Sequence, residues 1–275
     1  MKLNLAEFAQ RSAPVRLGCF IIALLLIWLP FAIPIYLLVA DTNLQSIITL
    51  VILYIQFMIL VKVSGKFIYQ QPRIFSDYGL EFSGLNFVNI IQGLSLGFFN
   101  IFLVFIIQGL LGLLTWQKPQ LLLINLIGES LLVGLGIGFA EELFFRGWFL
   151  EELRKDYSFD VALWVSAIFF ALTHFIKPID VMIASLPQFP ALILLGLSLV
   201  WAKKWKRGRL GFSMGLHGGL VGGYYIINVG NLVKYSGVVP DWVTGVNNNP
   251  LQGIMGVVFM LGLAGLMYHK GTANN

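Results

Sequence analysis

Charged residues are scarce in this sequence. Asp, Glu, Lys and Arg make up 11% of its 275 residues, whereas a soluble globular domain has about a quarter. Hydrophobic residues make up 58%, so the composition excludes an ordinary soluble domain and indicates an integral membrane protein. Cysteine is nearly absent too. Cys19 is the only one and lies in an apolar run, which excludes an intrachain disulfide and a CxxC metal site.

Long apolar runs occupy most of the chain. A helix needs about 20 apolar residues to cross the roughly 30 Å hydrocarbon core of a bilayer. Eight segments approach this length: 17–39, 44–63, 86–114, 121–150, 159–175, 187–202, 210–230 and 250–268. They predict an all-α fold, a polytopic bundle of about eight transmembrane helices that forms a single membrane-embedded domain over residues 1–275.

Positive charge alternates between the predicted loops. With the N-terminus inside, the cytoplasmic side carries Lys2, Arg11, Arg16, Lys66, Arg73, Arg154, Lys155, the run KKWKRGR at 203–209 and Lys270. The loops on the other side hold little positive charge, with Asp41, Lys118, Lys177, Lys234 and Asp241 among their charged residues. The positive-inside rule therefore predicts that both termini are cytoplasmic. Orientation in the bilayer explains these basic residues better than nucleic-acid binding does, so no nucleic-acid partner is expected.

Few ionisable side chains fall inside the predicted spans, where each costs about 2.5 kcal/mol or more. They include Glu129, Glu141, Glu142, Arg146, His174 and His217. Glu142 precedes Arg146 by four residues, the favoured order for a helical ion pair, so we expect these two to neutralise each other. Glu141 points about 100° away from Glu142 and needs another partner. Glu129 is expected at the interface or bonded to a neighbouring helix.

The spacing predicts that Glu141, His174 and His217 meet at one depth. Glu141 and His174 are equally far from the polar turn at 154–158 that joins their two antiparallel segments. His217 lies among glycines at small-xxx-small spacing, which lets a neighbouring helix come close. We therefore expect it to point into the bundle, at about the depth of Glu141. Phe170, four residues before His174, should pack beside the imidazole.

These groups permit hydrolysis of a carbonyl compound, most simply a peptide bond. A carboxylate and an imidazole can share one water and take its proton, while a second imidazole stabilises the oxyanion. Alternatively, Glu141, His174 and His217 could bind Zn²⁺ with an open position for water. Both the metal-free mechanism and the zinc mechanism are open at this point.

Three short motifs resemble those of a known family. EELFFR at 141–146 resembles the EExxxR signature of the CPBP (CAAX protease and bacteriocin-processing, or Abi) family of intramembrane endopeptidases. FALTH at 170–174 is similar to the family's FxxxH motif, and GLHGG at 215–219 to its third, histidine-containing motif. All lie within 121–230. The resemblance implies a type II CAAX prenyl endopeptidase-like enzyme whose peptide or protein substrate is prenylated in eukaryotes.

The same resemblance implies a role for each matching residue. Glu141 and His174 would activate water, and His217 would stabilise the oxyanion or bind a metal. Glu142 and Arg146 would form an orienting pair, or Arg146 would hold a substrate carboxylate. Phe170 would line the substrate pocket.

At one position the sequence departs from the family pattern. The family's polar residue four positions after the third-motif histidine is Val221 here, so a fourth ligand or second oxyanion donor is missing or comes from elsewhere in the chain. Two other functions therefore stay open. One is a non-hydrolytic member of the family, such as a bacteriocin-immunity or membrane scaffold protein. The other is a proton-coupled transporter, because Glu and His inside a membrane also form proton relays.

Overall fold

The computed structural model describes residues 5–273 and is almost entirely helical. Its long helices are α1 (Ala13–Leu38), α2 (Thr42–Phe67), α3 (Gly84–Leu110), α4 (Leu123–Glu142), α5 (Phe159–Thr173), α6 (Phe189–Trp205), α7 (Gly211–Val229) and α8 (Ile254–Thr272). Each coincides with one of the apolar segments predicted from the sequence. The predicted all-α, polytopic helix bundle is therefore confirmed.

Not every long helix is suited to cross a membrane. Among the described residues, six stretches are long and apolar enough: Ala13–Leu38, Thr42–Phe67, Gly84–Leu110, Leu123–Arg154, Ile179–Trp205 and Ile254–Thr272. α5 is apolar but has only 15 residues. The number of about eight crossings therefore stays a prediction. So does the cytoplasmic location of the termini, because residues 1–4 and 274–275 lie outside the described residues.

Short elements join the long helices. Short α-helices occupy Leu5–Phe8, Ile74–Asp77, Leu150–Arg154, Ile179–Ser185 and Asp241–Thr244, and 3₁₀ turns occupy Leu186–Gln188, Val246–Asn248 and Pro250–Gln252. A π-helix occupies Leu143–Phe149 and continues α4 without a break. Two three-residue strands, β1 (Leu114–Trp116) and β2 (Val233–Tyr235), pair antiparallel with Thr115 opposite Lys234.

The chain forms two compact units. The expectation of a single membrane-embedded domain stays a prediction. The smaller unit contains residues 5–77 and 151–158. Within it α1 packs along α2, and the indole Nε1 of Trp28 donates a hydrogen bond to Thr49 O at 2.9 Å. The buried Arg16 is neutralised by Glu152, with Nε and Oε2 3.0 Å apart.

The larger unit, residues 78–150 and 159–273, is built around α7. One face of α7 packs on α3 and another on α4. An added Cβ at Gly218 would lie 2.8 Å from Gly134 O, and one at Gly219 would lie 2.9 Å from Phe98 N. Only glycine allows the backbones to approach this closely. His217 is 3% exposed, so it points into the bundle as predicted.

Candidate active site

The two adjacent acidic residues of the site, Glu141 and Glu142, are the last two residues of α4, and the π-helix begins directly after them. Glu142 ends α4, and Arg146 lies inside the π-helix Leu143–Phe149. Both side chains are fully buried, and Arg146 Nη1 lies 2.9 Å from Glu142 Oε1. The predicted ion pair is confirmed. π-helical turns are rare in proteins, and those that occur are often found at functional sites.

His217 binds the same carboxylate oxygen. Its Nδ1 lies 2.9 Å from Glu142 Oε1, and because an ionised carboxylate only accepts hydrogen bonds, Nδ1 carries the proton. The other ring nitrogen, Nε2, lies 4.0 Å from Glu141 Oε2. The sequence analysis placed His217 near Glu141 but missed its bond to Glu142. The depth estimate put both acids within reach, and only the rotation of α7 selects between them.

Glu141 is held much less firmly than its neighbour. Its side chain is about one third exposed, whereas that of Glu142 is fully buried. Neither Glu141 Oε2 nor Glu142 Oε2 has a hydrogen bond partner among the described residues. The two adjacent acids differ in their other contacts. Glu142 Oε1 is bound by both Arg146 and His217, while Glu141 Oε2 lies 4.0 Å from His217 Nε2.

His174 follows the last residue of α5. Its Nδ1 lies 2.8 Å from Phe170 O, and since a carbonyl can only accept, Nδ1 carries the proton and Nε2 keeps its lone pair. The Glu141 carboxylate and the His217 ring both interact electrostatically with His174. The structure thus brings Glu141, His174 and His217 into one cluster, as the spacing predicted.

Phe170 lies at the centre of this cluster. Its ring centroid is 4.7 Å from that of His174 and 5.9 Å from that of His217. The guanidinium carbon of Arg146 lies 4.3 Å from the same ring. The predicted packing of Phe170 beside His174 is confirmed, while its contact with substrate stays a prediction.

The surroundings of Arg146 favour an orienting role over the binding of a substrate carboxylate. Arg146 Nη2 donates to Gly196 O on α6 at 3.2 Å, and Nη1 is bound to Glu142. With the guanidinium fully buried and both terminal nitrogens engaged, little of it can reach a substrate. Gly196 was not identified from the sequence, because every residue type has a main-chain oxygen that can accept a hydrogen bond.

Two other positions of the sequence analysis lie away from the cluster. Glu129 is exposed and accepts a hydrogen bond from the Tyr225 hydroxyl of α7 at 3.0 Å. This matches the expectation that it bonds to a neighbouring helix. Val221 is half-buried, one turn after His217.

The described residues do not form a ready metal site. No group of three or more His, Cys, Asp and Glu side chains among them has a geometry that could hold a metal ion. Glu141 Oε2 and His217 Nε2 are 4.0 Å apart, and His174 keeps the lone pair of Nε2. Zinc binding by these three residues stays a prediction, and no step is assigned to a metal.

Comparison with known proteins gives one match. Residues 123–222, from the start of α4 to the middle of α7, match the family of type II CAAX prenyl endopeptidase Rce1-like proteins. No match was found among curated proteins or among solved structures. The resemblance to the CAAX protease family is therefore confirmed over these residues. Together with the apolar helices, it identifies an integral, multi-pass membrane protein.

Proposed function

We propose that this protein, whose residues 123–222 match the type II CAAX prenyl endopeptidase Rce1-like family, hydrolyses a peptide bond of a peptide or protein substrate within the membrane. The observation that carries the proposal is the difference between two neighbouring acids. Glu142 is bound on two sides, whereas Glu141 offers a carboxylate oxygen 4.0 Å from His217 Nε2 and close to His174.

Glu141 is the proposed general base. It takes a proton from a water molecule, whose oxygen attacks the scissile carbonyl carbon, and the carbonyl π electrons move to oxygen. His174 Nε2, which keeps its lone pair, accepts the second hydrogen of that water and so orients it. When the C–N bond breaks, Glu141 returns its proton to the leaving amine. The protein is regenerated without a covalent intermediate.

His217 is the proposed oxyanion stabiliser. Its Nδ1–H is fixed on Glu142. In the imidazolium form of the ring, Nε2–H is a second donor on the side where Glu141 stands. That donor would bind the developing oxyanion, an interaction typically worth about 100- to 1000-fold in kcat.

A non-hydrolytic role is the second candidate. Val221 favours it, because an aliphatic side chain supplies no second donor where the family motif has a polar residue. On this alternative the cluster would be a structural remnant, and the protein would bind its peptide without cleaving it.

Peptide cleavage by the purified protein tests the proposal. The protein in detergent is incubated with prenylated and unprenylated peptide libraries, and the products are identified by mass spectrometry. We expect cleavage by the wild type and loss of it in Glu141→Gln and His174→Ala. Glu129→Gln is the matched control, since it makes the same change on the same helix, outside the cluster. Equal turnover in Glu141→Gln and Glu129→Gln would contradict the proposal, and binding without cleavage would favour the non-hydrolytic alternative.

A further inference from the structure

A buried lysine binds the π-helix that carries Arg146. Lys203, in the last turn of α6, is 3% exposed, and its Nζ donates to the main-chain oxygen of Arg146 at 2.7 Å. Lysine is almost never fully buried unless it is paired, because removing its charge from water costs several kcal/mol. The contact therefore needs a physical reason.

The lysine binds at the end of the π-helix, where the main-chain hydrogen bonds are spaced five residues apart. In a regular α-helix the oxygen of Arg146 would accept from the N–H of Leu150, four residues on. Here the N–H of Leu150 donates to Phe145 O instead. The Lys203 ammonium supplies a donor to Arg146 O, and a charge-assisted hydrogen bond of this kind is about twice as strong as a neutral one.

The same face of α6 also holds the side chain of Arg146. Gly196 O accepts from Arg146 Nη2 at 3.2 Å, and Gly196 precedes Lys203 by seven residues, which is about two turns. An added Cβ at Gly196 would lie only 2.9 Å from the Cα of Ala167. Helix α6 is therefore packed closely against α5 at Gly196. This packing fixes the position of the helix that contacts Arg146.

We propose that Lys203 is a positioning residue of the active site. It holds the main chain of Arg146, whose guanidinium holds Glu142, which in turn binds Nδ1 of His217. The inference rests on the proposed peptidase function. Loss of the Lys203 contact would let the π-helix relax and would displace the His217 ring without removing any group that touches substrate.

The test compares Lys203→Met with Lys204→Met. Both remove one cation from neighbouring positions, but Lys204 is half-buried and lies over the Phe159 ring, away from the cluster. We expect Lys203→Met to lose about 10- to 100-fold in kcat, the effect of a displacement near 1 Å. Its KM should stay unchanged. Lys203→Arg, which keeps a charged donor, should recover most of the loss, and Lys204→Met should match the wild type.

Other outcomes are equally informative. The inference is overturned by a kcat in Lys203→Met equal to that in Lys204→Met, or by a Lys203→Arg variant no faster than Lys203→Met. If Lys203→Met does not fold, Lys203→Gln replaces it in the test. The glutamine side chain is one bond shorter than that of lysine, so its amide nitrogen does not reach Arg146 O. There a reduced kcat supports the inference and a wild-type kcat overturns it.

One further variant separates this inference from the proposed function. If Glu141→Gln cleaves at the wild-type rate, the peptidase proposal fails. If Glu141→Gln is inactive while Lys203→Met equals Lys204→Met, only the role of Lys203 fails.

Discussion

His217 on α7 donates its Nδ1–H to Glu142 on α4 at 2.9 Å. The same oxygen accepts from Arg146 Nη1, also at 2.9 Å, so one carboxylate oxygen joins the end of α4, the π-helix and α7. With Nδ1 engaged in this way, Nε2 is the nitrogen that faces Glu141. The orientation of the imidazole is thus set by the second glutamate, and its reactive edge is directed to the first.

Substitution of His217 by Asn should separate folding from catalysis. The Asn amide nitrogen takes the place of Nδ1 and can still donate to Glu142, whereas nothing replaces Nε2. We expect a thermal midpoint close to that of the wild type and a kcat lower by about 100- to 1000-fold, as for the loss of one oxyanion donor. His217→Ala, which loses both nitrogens, should lose stability as well. Full activity in His217→Asn would show that Nε2 takes no part in the reaction.

Removal of the Arg146 charge should destabilise the fold. Glu142 would stay buried with its main countercharge gone, and breaking a buried ion pair costs about 3–5 kcal/mol. Arg154→Met is the control, because the ion pair of Arg154 with Glu151 is partly exposed and is worth less than about 1 kcal/mol. Chemical unfolding of Arg146→Met and Arg154→Met in detergent measures both. A similar free energy of unfolding for the two variants would be evidence against a stabilising ion pair in the site.

Local spacing predicted those features that depend on one helix or one turn. Glu142 and Arg146 are four residues apart, which brings them together in helical geometry whatever surrounds them. Glu141 and His174 flank one short turn, so their depths follow from counting. The glycines around His217 indicated close packing, and the backbones of α4 and α7 are in contact there.

The contacts of the site between distant segments could not be predicted in this way. Counting residues gives the depth of His217 but not the rotation of α7, and rotation decides that Nδ1 faces Glu142 rather than Glu141. The π-helix adds a second difficulty, because its wider turn changes which N–H each main-chain oxygen accepts from. The sequence analysis assigned Lys203 to a cytoplasmic loop because it belongs to the basic run 203–209, although its ammonium is buried against Arg146.

A single methyl group on α4 should test how closely α7 is packed. An added Cβ at Gly138 would lie 3.0 Å from Gly218 N and would collide with Met214 O, whereas one at Gly136 would meet no atom within 4 Å. We expect Gly138→Ala to lower the thermal midpoint and peptidase activity. Gly136→Ala should be neutral or stabilising by about 0.5–1 kcal/mol, because alanine is the better helix former. Equal midpoints for the two variants would mean that α4 and α7 are not in contact at Gly138.

Chelators test the metal-free chemistry directly. Since the proposed mechanism uses Glu141, His174 and His217 without a metal, we expect kcat to stay unchanged after dialysis against a strong Zn²⁺ chelator. Elemental analysis of the same sample should find no stoichiometric zinc. Loss of activity that returns with added Zn²⁺ would instead show that substrate or metal draws the three residues together.

Replacement of Val221 by Asn should raise the rate. Val221 lies one turn after His217, so the two side chains are neighbours on the surface of α7. An amide there would supply a donor on the side of the ring where the oxyanion is proposed to form. One such donor is worth about 100- to 1000-fold when optimally placed. We expect a gain of about 10-fold or more in kcat, because an introduced side chain is not held in place by packing.

Val221→Leu is the control for this substitution, since it changes the size of the side chain and adds no donor. A rate in Val221→Asn above that in Val221→Leu would identify the missing donor as the limit on turnover. If Val221→Asn cleaves peptides that the wild type only binds, Val221 is what keeps the natural protein non-hydrolytic. If the Asn and Leu variants are equally slow, the oxyanion does not form within reach of position 221. His217 Nε2 then remains its only proposed donor.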